Sequence, residues 1–267
     1  MNKAKRMRPL LGTFVEIGAQ SAHAMPESAI AAAFAAVERV QALLSFHDAG
    51  SELSRLNLAD GKAIALHPLS LRVLRLAQGM TRASGGLFNC TVGGELVRLG
   101  VLPDHGCGAQ LGCGVAEDIE LHGATARLRR PVLVTLDGIA KGYAVDCAIR
   151  ALQRRGITAG WVNAGGDLRA FGDLVLPVAR READGSMVPL GGLREAAIAT
   201  SGIRASHDAT FPGWVVGASR TPGVWSVLAP TAWRADALTK VAGLAEESRR
   251  ARLVRQLGGR LVERAVT

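Results

Sequence analysis

Asp137, Gly138 and Lys141 are residue types that can handle phosphate. They sit where an apolar run, Pro131-Val132-Leu133-Val134, gives way to an amphipathic segment ending at Gly156. Ile139, Tyr143, Ala144, Ala148, Ile149 and Leu152 recur at helical spacing, which predicts a short buried strand followed by a helix from about Gly138. The first-turn amides of such a helix lack intrahelical partners and carry the positive end of its dipole, and Lys141 adds a full charge beside them. That combination suits a phosphate. The competing reading is a glycine-bounded core helix with an exposed lysine, because one Gly-x-x-Lys-Gly matches neither a P-loop nor a dinucleotide fingerprint.

Two further constellations carry chemistry. Asn163-Ala164-Gly165-Gly166-Asp167 follows a predicted strand, and its paired glycines either let backbone approach a ligand closely or close a tight turn. Asp236 and Lys240 are four apart on a predicted helix, the spacing of an exposed ion pair whose loss costs little stability. Asp137, just before the predicted helix, reads equally as an N-cap.

The elements that must position these residues are legible in outline. Gly12 to Ile17 alternates as a strand. Glu27 to Ser45 carries an apolar helical stripe of Ile30, Phe34, Val37, Val40 and Leu44. A second helix runs from Leu69 to Ala83 and stops at Gly85-Gly86. Asp104 to Gly114 has no period and reads as a loop. Short strands are predicted at 119–121, 126–128, 132–136, 160–163, 168–171, 174–179, 196–200 and 225–229, with helices at 234–244 and 248–257. Strands clustered between helices indicate an α+β layout with mixed or antiparallel sheets, in one compact unit of one or two lobes.

Bulk properties exclude several classes. Of 267 residues, 48% are hydrophobic and 21% charged, a globular balance, and no apolar run is long enough to span a bilayer. The net charge of +9 raises nucleic acid as a partner, yet the basic residues are scattered, only 4% of residues are aromatic, and no recognition motif accompanies them. Cys90, Cys107, Cys113 and Cys147 are too few for a disulfide framework and read as reduced thiols. With no signal peptide or lipobox in the sequence as it stands, the expected location is cytoplasmic, or periplasmic if the start is truncated.

Seven short segments occur in a definite order: LLGTFVEI from Leu10, FHDAGSELSRLN from Phe46, GGLFNCTVG from Gly85, DGIAKGYAVD from Asp137, NAGGDLRAFG from Asn163, ATSG from Ala199 and ADALTKV from Ala235. This ordered set resembles the ApbE family, the FAD:protein FMN transferases, from about Pro9 to Leu244. The resemblance implies an ApbE-like domain over 9–246, with a C-terminal helix and tail over 247–267. It implies Mg²⁺-dependent transfer of FMN from FAD, as substrate, to a Thr or Ser hydroxyl of an acceptor flavoprotein, with AMP leaving.

By the same resemblance the metal falls on Gly138, Asp236 and Thr239. Flavin contacts fall on Leu11, Phe46, Leu87, Phe88, Asn89, Thr135 and Lys141, with Gly165, Gly166, Thr200 and Ser201 lining the cleft; Asp137, Lys141 and Asp236 are the candidate catalytic residues. Phe46 and Phe88 offer the aromatic faces an isoalloxazine ring stacks on.

The chain departs from the family pattern in five places. Thr135 and Asn89 replace aspartates. Asp137 is an added carboxylate, read as a metal ligand, a base or the cap. The late threonine comes three residues after Asp236, with Lys240 at four. The usual His and Asp-Pro turn is missing between Gly202 and Val224, where His207 precedes the expected position and Trp214 or Val215 occupies it. These departures motivate a second reading, an FAD-binding carrier or scaffold that has lost transfer.

Overall fold

A computed structural model of the chain describes residues 2–203, 215–217 and 222–262. His207 and Trp214 lie outside the described residues.

The chain opens with a hairpin of β1 (Asn2–Leu10) and β2 (Thr13–Ser21), followed by α1 (Pro26–Leu44), α2 (Glu52–Asn57), β3 (Ile64–Ala65), α3 (Pro68–Ala83) and α4 (Gly93–Arg98). After a long irregular stretch come β4 (Ile119–His122), β5 (Thr125–Leu128) and α5 (Ala140–Arg154). Then follow β6 (Ala159–Ala164), β7 (Asp167–Phe171), β8 (Leu176–Arg181), β9 (Met187–Leu193), β10 (Ala197–Ile203) and β11 (Gly223–Ala229), and finally α6 (Ala232–Leu244), α7 (Glu247–Gln256) and β12 (Arg260–Val262).

Seven strands form one antiparallel sheet in the order β1-β2-β6-β7-β10-β11-β12. Strand alternation gives it two covered faces. On β7, Arg169 and Phe171 point to the helical layer of α1, α5 and α6, whereas Leu168 and Ala170 point to the other side, where the β8–β9 hairpin closes a small second core with Leu193 and Ile198. The three-stranded sheet β3-β5-β4 packs beside α3 at the edge of the main core. Helix α6 is alanine-rich and buried nearly all round, as a helix wedged between sheet and α5 must be.

The expected α+β class holds, and the long helices fall within two residues of their predicted bounds. Four differences have physical causes. Residues 132–136 are extended and buried but join no sheet. Their backbone is satisfied by the Asn57 side chain, which bonds both N–H and C=O of Val134, and by Gly93 and Cys90. The helix starts at Ala140, not Gly138. Strand β1 was missed because its charged residues are mostly exposed and show no alternation; it is an edge held by backbone pairing with β2. The expected C-terminal helix is present as α7, with Arg250 donating to the Ala242 and Ala245 carbonyls, but the sequence did not show β12, which lies at the sheet edge and pairs with β11.

Candidate active site at the crossing of two helices

Helices α5 and α6 cross where Gly142 meets the start of α6; a Cβ at Gly142 would lie 2.3 Å from the Ala232 carbonyl oxygen. Only glycine permits that approach. It brings Asp236 of α6 against the start of α5, where its Oδ2 accepts the Gly142 amide at 3.2 Å. Asp236 is fully buried, not the exposed carboxylate that its spacing suggested, and its Oδ1 is ion-paired with Lys240. The N-cap of α5 is Ile139, so Asp137 lies two residues outside the helix and does not cap it. The α5 amides are also less open than the sequence implied, since Ala140 N–H donates to Leu136 and Gly142 N–H to Asp236.

Beside this crossing lies a cavity of about 350 Å³. Its lining is mixed, with apolar Leu87, Phe88, Leu96, Leu102, Val216 and Leu244 and polar or charged Thr135, Asp137, Lys141, Thr200, Ser201 and Lys240. Gly138, Asn89 and Gly165 complete the lining among the expected residues. Gly165 and Gly166 form the two-residue turn of the β6–β7 hairpin, with φ of 61° and 102°, so the tight-turn reading of that motif holds, and Gly165 lines the cavity. Gly166 itself lines an adjoining groove of about 630 Å³ under the β8–β9 hairpin, which shares Gly165, Thr200 and Gly202 with the first.

Besides Gly166, four of the expected residues do not line the cavity. Leu11 is at the β1–β2 turn with φ 57°, its amide donating to Gln41. Phe46 is 1% exposed, its ring 5.8 Å from that of His105, so it is a core side chain and not an open stacking face. Asp236 and Thr239 stand one layer behind, reaching the lining through Lys240 and Ser201. Asn89 lines the cavity but is tied down, donating to Gly114 and accepting from the amide and hydroxyl of Thr91.

The electrostatics are those of a crowded mixed-charge site. Lys141 is held above the ordinary lysine range, chiefly by Asp167 and, against the effect of burial, also by Asp236 and Asp137; it stays cationic. Burial, reinforced by the nearby Asp236, pushes the Asp167 carboxyl up to about 7, with Lys141 and Lys240 opposing. Asp137 is open to solvent at the cleft, yet the protein around its carboxyl dehydrates it enough to raise its pKa, against the pull of His47 and Lys141. Asp167 was missed in the sequence because it looked like the last residue of a turn; its sign was a carboxylate opening a strand that also carries Leu168, Ala170 and Phe171.

The donor set implied for Mg²⁺ is a poor fit. A hard cation needs free carboxylate, hydroxyl or carbonyl oxygens. Both Asp236 oxygens are taken, by Lys240 and by the Gly142 amide. The Thr239 hydroxyl donates to the Asp236 carbonyl at 2.7 Å and lies 2.7 Å from Ser201 Oγ. Among the described residues no group of three or more His, Cys, Asp or Glu is arranged around one point.

The chain is similar to known proteins in both sequence and fold. The sequence matches the profile of the ApbE family over residues 11–262. The fold is similar to that of the ApbE protein from Thermotoga maritima, with a TM-score of 0.84 at 19% identity, covering 97% of this chain and 93% of that one. It is also similar to the flavinyl transferase ApbE of Pseudomonas stutzeri in its apo form, with a TM-score of 0.80 at 16% identity over 99% and 95% of the two chains. For the flavin transferase ApbE of Vibrio cholerae the TM-score is 0.79 at 22% identity, over 99% and 97%. A comparison with curated protein sequences returned no match. With its profile match spanning nearly the whole described chain, and five of the seven ordered motifs lining one cleft, this chain belongs to the ApbE family.

Proposed function

We propose that the chain is an FAD:protein FMN transferase, binding FAD as substrate in the cleft beside α5 and moving its FMN part onto a Thr or Ser hydroxyl of an acceptor flavoprotein. The observation that carries this reading is the mixed lining of the cavity: apolar side chains suited to a flavin ring stand beside two lysines, Lys141 and Lys240, suited to a diphosphate. The acceptor oxygen attacks the phosphorus of the FMN half, the bond from that phosphorus to the AMP oxygen breaks, and AMP leaves. Lys141 neutralises charge on the transferring phosphate. Asp137 is the carboxylate placed to take the hydroxyl proton, and its raised pKa makes it a stronger base than an ordinary carboxylate.

The second reading, an FAD carrier without transfer, is favoured by one observation: the carboxylate and hydroxyl of the ADALTKV segment are already satisfied within the protein. Incubating the protein with FAD and an acceptor flavoprotein domain, then weighing the acceptor by mass spectrometry, separates the two. An FMN-sized gain with AMP release supports the transferase, and Asp137→Asn should then cut transfer at least tenfold while FAD still binds. Bound FAD with an unmodified acceptor favours the carrier.

A further inference from the structure

The ion pair that spoils the metal site supplies a cation of its own. Lys240 Nζ meets three acceptors: Asp236 Oδ1, the Asp236 carbonyl at 3.3 Å and Ser201 Oγ at 3.3 Å. The two 3.3 Å contacts are long for N–H···O bonds, so the ammonium can exchange one of them for a phosphate oxygen while staying paired with Asp236 Oδ1. The stem of the same side chain runs past the glycine turn, its Cε 3.4 Å from where a Cβ of Gly138 would be, so the ammonium is anchored between the segments implied to hold a metal. Its side chain is 19% exposed and lines the cavity, so the charge is presented to a ligand and not sealed in the core. A divalent ion approaching Asp236 Oδ1 would have to displace this ammonium or sit against it, and two like charges at contact distance repel strongly in a partly dehydrated site.

We propose that Lys240 takes the place of the divalent cation in this chain, so that FAD binding and diphosphate charge neutralisation are metal-independent. The proposal rests on the flavin reading for its ligand but not for its metal half. In the transfer step the ammonium keeps its proton throughout. The acceptor oxygen–phosphorus bond forms, the bond to the AMP oxygen breaks, and the hydroxyl proton goes to Asp137.

The test has two arms. In the first, the metal-stripped protein is titrated with Mn²⁺ and followed by electron paramagnetic resonance. The parent should show no saturable site, whereas Lys240→Thr, which frees Asp236 Oδ1, should gain one that Asp236→Asn removes. In the second, FAD is titrated in EDTA and in Mg²⁺. The parent should bind equally in both, while Lys240→Thr should bind roughly ten- to a hundredfold more weakly in EDTA, the loss expected for a charged hydrogen bond, with recovery in Mg²⁺.

A saturable Mn²⁺ site in the parent, or parent FAD binding that needs Mg²⁺, overturns the proposal. Should Lys240→Thr fail to fold, the parent titrations decide alone. If the parent bound no FAD, the flavin reading would fail while the Mn²⁺ arm still decided the metal question; if it bound FAD without transferring FMN, only the transferase reading would fail.

Discussion

Helices α5 and α6 cap each other with aspartates, and the two ends have been put to different uses. At the start of α6, Asp146 of α5 accepts the amides of Ala232 and Trp233 at 3.1 and 3.0 Å and pairs with Arg169. That end is closed: two amides, one guanidinium and no exposed surface on the aspartate. At the start of α5, Asp236 of α6 accepts one amide and pairs with a lysine that reaches into a cavity, with Lys141, Asp137 and Asp167 close enough to perturb one another. The same device is structural at one end and, at the other, leaves a paired lysine lining a ligand space. Complete pairing gives rigidity; incomplete pairing leaves a group free to act.

That contrast sets an order of effects. Asp146→Ala strands the largely buried Arg169 and uncaps α6, and should cost about 3–5 kcal/mol in urea unfolding; a loss under about 1 kcal/mol would show that the two ends are not different in kind. The pH dependence comes next. Asp167 has a folded pKa near 7, above its unfolded value, so the folded protein binds the proton more tightly there. The stabilisation is therefore complete below about pH 4 and lost as pH rises through about 7, on the order of 2 to 4 kcal/mol in metal-free protein. Asp167→Asn should flatten that profile, and an unchanged slope would remove Asp167 from the account.

Asp236→Ala should cost less, about 1–3 kcal/mol, because it uncaps one amide and its lysine partner can turn toward water. It should also lower the Asp167 midpoint by removing a neighbouring negative charge. Equal losses for Asp146→Ala and Asp236→Ala would erase the distinction between the ends.

Much of this site was legible because its parts are local. The helix carrying Lys141 announces itself by its apolar spacing, and Gly165-Gly166 by its turn chemistry. What failed to show was long-range. Asp146 sits on the buried stripe of α5 after Val145, where only partners distant in the chain, Arg169 and the Ala232 and Trp233 amides, explain a carboxylate. Asp236 and Lys240 looked like a surface pair because i,i+4 spacing does not reveal that α6 is buried on nearly every side. The apolar run at 132–136 looked like a strand because its burial is real; its backbone partners are a side chain and loops, which no periodicity encodes.

The central claim is that the cleft grips the diphosphate of FAD and not the flavin ring alone. Titration of the intrinsic flavin fluorescence with FAD and with riboflavin tests it most directly. The account predicts that FAD binds more tightly, and that Lys141→Ala weakens FAD by about 1–3 kcal/mol while leaving riboflavin nearly unchanged. Equal affinity for FAD and riboflavin in the parent protein, or an Lys141→Ala variant that binds FAD as the parent does, would contradict it.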